Sequence, residues 1–103
     1  MKIIYNNIIP FKGFAAINLF GIIFARKECR PLSETTVNHE SIHTEQMKEL
    51  LYVGFYICYL IEWVVRLFMK GNAYRNISFE KEAYRYQRSS GYVHVRRRFA
   101  MWR

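Results

Sequence analysis

The chain has 103 residues, 51% of them hydrophobic and 17% aromatic: one domain with a modest core, too small for a separate substrate-binding domain and too apolar to be disordered. A formal charge of +8 calls for an anionic partner surface, whether a membrane leaflet, nucleic acid or an acidic substrate. Two cysteines, Cys29 and Cys58, exclude a disulfide framework and any Cys-x-x-Cys metal knuckle, and all eight acidic residues are glutamate, which suits a helix-rich chain.

The first 26 residues carry an apolar stretch, Gly13 to Ala25, that superficially resembles a signal peptide. Pro10 and Lys12 precede it, Asn18 interrupts it, and Arg26-Lys27-Glu28 stand where small cleavage-site residues belong, so a cytoplasmic or membrane-associated location is expected over secretion. β-branched and aromatic residues, with Gly21 at a turn or bulge, predict strands within about residues 3–26: one from Ile3 to Ile9 and a bent or paired segment from Phe14 to Arg26.

After Pro31 the chain turns helical, with Ser33 or Thr36 as N-cap. No proline and one glycine, Gly54, occur before Met69, which predicts a long helix over about 34–69, kinked or broken near Gly54. Its first half holds His39-Glu40-x-x-His43. Residues four apart share a helical face, so both imidazoles can reach one ion. Glu40 lies about 100° around the helix, where it serves better as a base toward a bound water than as a ligand. Gln46 returns to the His face as a hydrogen-bonding support. The plain competing reading is two solvated histidines on a helix surface.

The second half, Leu50 to Met69, is apolar nearly all round, with Tyr52, Phe55, Tyr56, Tyr59 and Trp63 as an aromatic stripe and Glu62 and Arg66 inside it. Two readings stand: a packed core or homodimer helix, or a membrane-embedded or interfacial helix with Lys70 and Arg75 as basic flanks. Lys70-Gly71-Asn72 ends it.

Zinc with two histidines and a water needs a third protein ligand. Glu49 occupies the position where a metzincin carries its third His, Glu45 and Glu49 point away from the His face, and His94 is the only other histidine. A helix over about 78–89, opening with Ser78 as N-cap, offers Glu80 or Glu82. An acidic first turn favoured by the helix dipole is the alternative explanation for that pair. The basic, aromatic tail 92–103 is either an anionic-lipid or nucleic-acid patch or a solvated face with Phe99 and Trp102 packed inward, nucleic acid being the less favoured partner.

The motif His39-Glu40-x-x-His43-x-x-Gln46, followed by Tyr74 to Ala83, resembles the gluzincin pattern of small zincin-like bacterial domains and the catalytic core of membrane-bound prenyl-protein-type zinc endopeptidases, over about residues 14 to 85. The resemblance implies a minimal α+β zincin-like fold, Zn²⁺ as cofactor, a polypeptide substrate lying along the strand before the motif, and Glu80 as third ligand with Glu82 its neighbour. Tyr84 stands where the larger peptidases carry Asp. On this reading the chain is a zinc metallopeptidase with Glu40 as general base; Tyr74, Arg75, Tyr84 and His94 are the candidates to stabilise the oxyanion. The rivals are a catalytically idle zinc-held scaffold and a basic membrane-associated binding protein.

Overall fold

Short β-branched runs at the N-terminal end pair into a three-stranded sheet, β1 Ile3–Asn6, β2 Ala16–Leu19 and β3 Ile22–Arg26. The computed structural model describes residues 2–10, 12 and 14–102; Gly13 of the apolar stretch and Arg103 of the tail lie outside the described residues. The strand order is β1-β3-β2, with β1 parallel and β2 antiparallel to the central β3. Phe20 and Gly21 join β2 to β3 with φ of 53° and 89°. Two left-handed residues are what a tight hairpin of this twist requires, and Gly21 adopts its φ without a Cβ penalty. β1 ends well before Ile9, because the Asn6 side-chain oxygen accepts the backbone N–H groups of Ile8 and Ile9 and turns the chain away.

The expected long helix is two helices. α1 spans Glu34–Glu49 and α2 Val53–Leu67, with 109° between them. Ser33 caps α1, its Oγ accepting the Thr36 N–H. The break precedes Gly54, which sits in the first turn of α2. It falls at Leu51 and Tyr52, both left-handed with φ of 55° and 60°, and the Tyr52 N–H closes the turn on the Met47 carbonyl at 2.7 Å. Neither residue type favours this conformation; Tyr52 packs against the core, while Leu51 is exposed. The reward is that α2 folds back over α1 and buries Phe55 with Met47, Ile77, Phe79 and Met101.

Two short helices, α3 Ala73–Asn76 and α5 Tyr92–Val95, flank α4 Ser78–Tyr86, and single 3₁₀ turns occupy Lys27–Cys29 and Ala100–Trp102. The described chain is thus a small α+β domain of three strands and five α-helices. Ser78 does not cap α4: Ile77 precedes the helix, and the carboxylate of Glu62 reaches over from α2 to accept the Ser78 N–H at 2.9 Å and its hydroxyl at 2.6 Å. A negative group at a helix N-terminus also complements the dipole. Rather than continuing to about residue 89, α4 stops at Tyr86. The Asn38 amide of α1 donates to the carbonyls of Tyr86, Gln87 and Ser89 at 2.8–3.2 Å, satisfying groups a helix end leaves open. Side chains from α2 and α1 therefore fix both ends of α4, and with them the position of Glu80.

Candidate metal centre

α1 presents His39 and His43 on one face, their ring centroids 4.8 Å apart, and α4 brings Glu80 against them. The three donor atoms form a triangle: His39 Nε2 to His43 Nε2 is 3.1 Å, and Glu80 Oε1 is 3.1 Å from each. All three residues are buried. Ligands at about 2.0–2.1 Å around a tetrahedral ion stand about 3.3 Å from one another, so a group at this spacing could hold a metal ion.

The hydrogen bonds behind the rings say which atoms are free. Gln46 Nε2 donates to the Phe79 carbonyl at 3.0 Å and to Glu82 Oε1 at 2.9 Å, so its oxygen must face His43 Nδ1, 2.8 Å away. His43 Nδ1 therefore carries the proton, and in the neutral ring Nε2 is a bare lone pair. The Gln87 oxygen stands in the same relation to His39 Nδ1 at 2.8 Å. Two lone pairs and a carboxylate oxygen thus converge within hydrogen-bond distance, an arrangement that repels itself unless a positive charge occupies its centre. With protons alone to fill that role, burial pushes His43 down but the Glu80 carboxylate outweighs it, raising the imidazole to about 9. Burial likewise pushes Glu80 up, and the hydrogen bonds from His39 and His43 overcome it to hold the carboxyl well below its usual range.

Support extends outward along one chain of contacts. Tyr59 of α2 donates to Glu80 Oε2 at 2.7 Å, leaving Oε1 for the histidines. Burial and the neighbouring Glu80 charge push the Tyr59 phenol up, so it stays a donor. Glu82 does not reach the histidines. Arg96 grips it through Nε and Nη2 at 2.8 and 2.9 Å, Tyr92 donates to it at 2.7 Å, and Gln46 links it to His43. Arg96 also pairs with Glu49 at 3.1 Å. Burial raises the Glu82 carboxyl, while Arg96 and Gln46 more than reverse that and leave it lowered.

On the open side lies a cleft of about 530 Å³ whose walls include β2, Phe55 and Tyr56 of α2, and the polar groups Glu40, His43, Tyr59, Tyr74 and Glu80. β2 is an outer strand of the sheet, so an edge runs beside the site. Asn18 ties that strand to the metal helix: its amide donates to the Glu40 carbonyl and to Thr44 Oγ1, both at 2.8 Å. The residue that interrupts the apolar stretch in sequence is therefore a buried clamp beside the motif. Glu40 lines the cleft together with His43 and Glu80, and burial pushes its carboxyl up despite the opposing pull of His43 and His39.

Of the four oxyanion candidates, Tyr74 alone lines this cleft, kept protonated by burial and by Glu80. Arg75 stacks its guanidinium 3.8 Å from the centre of the Tyr84 ring, and Tyr84 meets the edge of His39 at a centroid distance of 4.6 Å, so this pair buttresses the His39 ring. His94 is exposed on α5. Sequence reasoning missed Tyr59, Gln87, Asn38 and Arg96. Tyr59 was visible only as one member of an aromatic stripe, and Arg96 as one charge in a basic run. No known protein family, curated protein or solved structure compared with the chain matches it.

Proposed function

We propose that the chain is a zincin-like, gluzincin-type zinc metallopeptidase, in which His39, His43 and Glu80 hold the ion and Glu40 is the general base. The observation that carries this reading is the triangle of two histidine lone pairs and one carboxylate oxygen beside a cleft that also contains a carboxyl pushed upward by burial. Those three ligands would hold zinc, which when bound would supply a Lewis acid toward a carbonyl and lower the pKa of water toward about 7. The chain does the rest. An extended peptide pairs with the free edge of β2, an apolar side chain entering the cleft beside Phe55. Glu40 removes a proton as the water oxygen bonds to the scissile carbonyl carbon, and returns it to the nitrogen as the C–N bond breaks. A carboxyl pushed toward neutrality suits both halves of that task. Tyr74 donates to the oxygen on which charge develops, and Tyr59 keeps Glu80 oriented.

The test is metal content and chelator-sensitive cleavage of unfolded or apolar peptides in parent, His39→Ala and Glu40→Gln. His39→Ala loses zinc. Glu40→Gln keeps zinc and parent-like circular dichroism while kcat falls about 10²–10⁴-fold. Cleavage unchanged in Glu40→Gln removes the mechanism; zinc held by parent and Glu40→Gln with no cleavage by either leaves a zinc-held scaffold.

A further inference from the structure

The outward face of α2 has no covering in the fold. Val53, Ile57, Leu60, Ile61, Val64 and Phe68 recur at helical spacing and form one continuous stripe, from 43% exposed at Val64 to 87% at Phe68. The two charged residues of α2, Glu62 and Arg66, are both partly buried and leave this stripe; Glu62 turns inward to cap α4. A solvent-facing helix ordinarily carries its charges outward, and here the order is reversed.

We infer that this face docks the protein on an anionic lipid surface, lying in the plane of the leaflet. Three observations choose the occupant. First, among the described residues no single helix is long and apolar enough to cross a membrane. The 15 residues of α2 extend about 22 Å against a hydrocarbon core of about 30 Å, so the helix lies on the bilayer. Second, each chain carries a formal charge of +8. Two copies meeting through this face repel, while an anionic leaflet attracts. Third, exposed cations flank the stripe along the chain, Lys48, paired with Glu45, before it and Lys70 and Arg75 after it, as basic residues flank interfacial helices. The inference rests on the outer face of α2 and the charge around it, and holds whether or not the neighbouring site hydrolyses peptides.

The experiment is flotation of the full chain with vesicles of phosphatidylcholine alone and of equal parts phosphatidylcholine and phosphatidylglycerol, for the parent and for the double variant Leu60→Glu/Ile61→Glu. The parent floats with the mixed vesicles, less with neutral ones, and partitioning falls as salt rises. The double variant loses about tenfold or more in partitioning with its helical circular dichroism intact. Because two substitutions in mid-helix can disturb folding, Phe68→Asp at the helix end supplies an independent variant with the same expected direction. A parent that ignores mixed vesicles, or variants that bind like the parent, overturns the inference. So does a lipid-free dimer in sedimentation velocity that these variants dissociate, since the face then belongs to a second copy.

Discussion

The centre of this protein is more polar than one of its outer faces. His39, His43, Gln46, Glu80 and Glu82 are buried, while eight apolar side chains of α2 stand in the open. The more hydrophilic helix, α1, supplies six buried residues and the more hydrophobic one, α2, supplies Phe55 alone. Depth in the fold follows hydrogen-bond completion here rather than side-chain polarity. Outside the triangle of His39 Nε2, His43 Nε2 and Glu80 Oε1, whose three acceptors are matched only by a positive charge, these groups have donors and acceptors paired at 2.7–3.0 Å, which is the condition for a polar group to be buried at all. The outer stripe has no such constraint, because it asks only for an apolar neighbour.

The contrast predicts effects of very different size. Arg96→Ala leaves Glu82 and Glu49 buried without their cation and is expected to cost about 3–5 kcal/mol in chemical denaturation. A loss under about 1 kcal/mol means that water replaces the guanidinium and that the interior network is softer than its distances imply. Tyr59→Phe removes one hydroxyl from Glu80 Oε2. Competition with a chelator is expected to show zinc affinity reduced by about 10–100-fold, with the fold retained. Undiminished affinity severs α2 from the metal site and leaves Tyr59 a packing residue. At the small end, Ile57→Ser on the outer stripe, where the side chain is 55% exposed, is expected to stay within about 0.5 kcal/mol of the parent in lipid-free buffer. A large loss there means that the stripe is covered by another copy in solution.

The part of this arrangement that was legible in the sequence is the part written in local spacing. His39 and His43 four apart, Gln46 three further on, the Ser33 cap and the Gly21 turn all depend on contacts within a few residues, and all take the local form expected. Glu80 over Glu82 rested on resemblance; in the fold Glu80 is the carboxylate beside the histidines, for a reason no spacing displays: Arg96, 14 residues away from Glu82, holds that carboxylate elsewhere. The helix break falls near Gly54 as expected, but the residues that make it are Leu51 and Tyr52, whose positive φ values no residue type announces. The two faces of α2 could not be told apart from a segment apolar nearly all round, since no period distinguishes inside from outside in it. Glu62 was legible as an anomaly in that run, but its purpose depends on α4 arriving beside it.

Folding α2 back at 109° gives one helix two unrelated environments at consecutive positions: Tyr59 meets the Glu80 carboxylate, and Leu60 meets the outside. Each residue along a helix turns the chain by about 100°, so a single insertion or deletion ahead of Tyr59 would rotate both faces together. The phenol would leave the carboxylate and the apolar stripe would lose its common direction in one event. Most surface helices tolerate a slipped residue at an end by fraying. This one has its length between Phe55 and Glu62 fixed to the residue from the inside, by the core, Glu80 and Ser78, so the direction of Ile57, Leu60 and Ile61 is set by contacts on the opposite face.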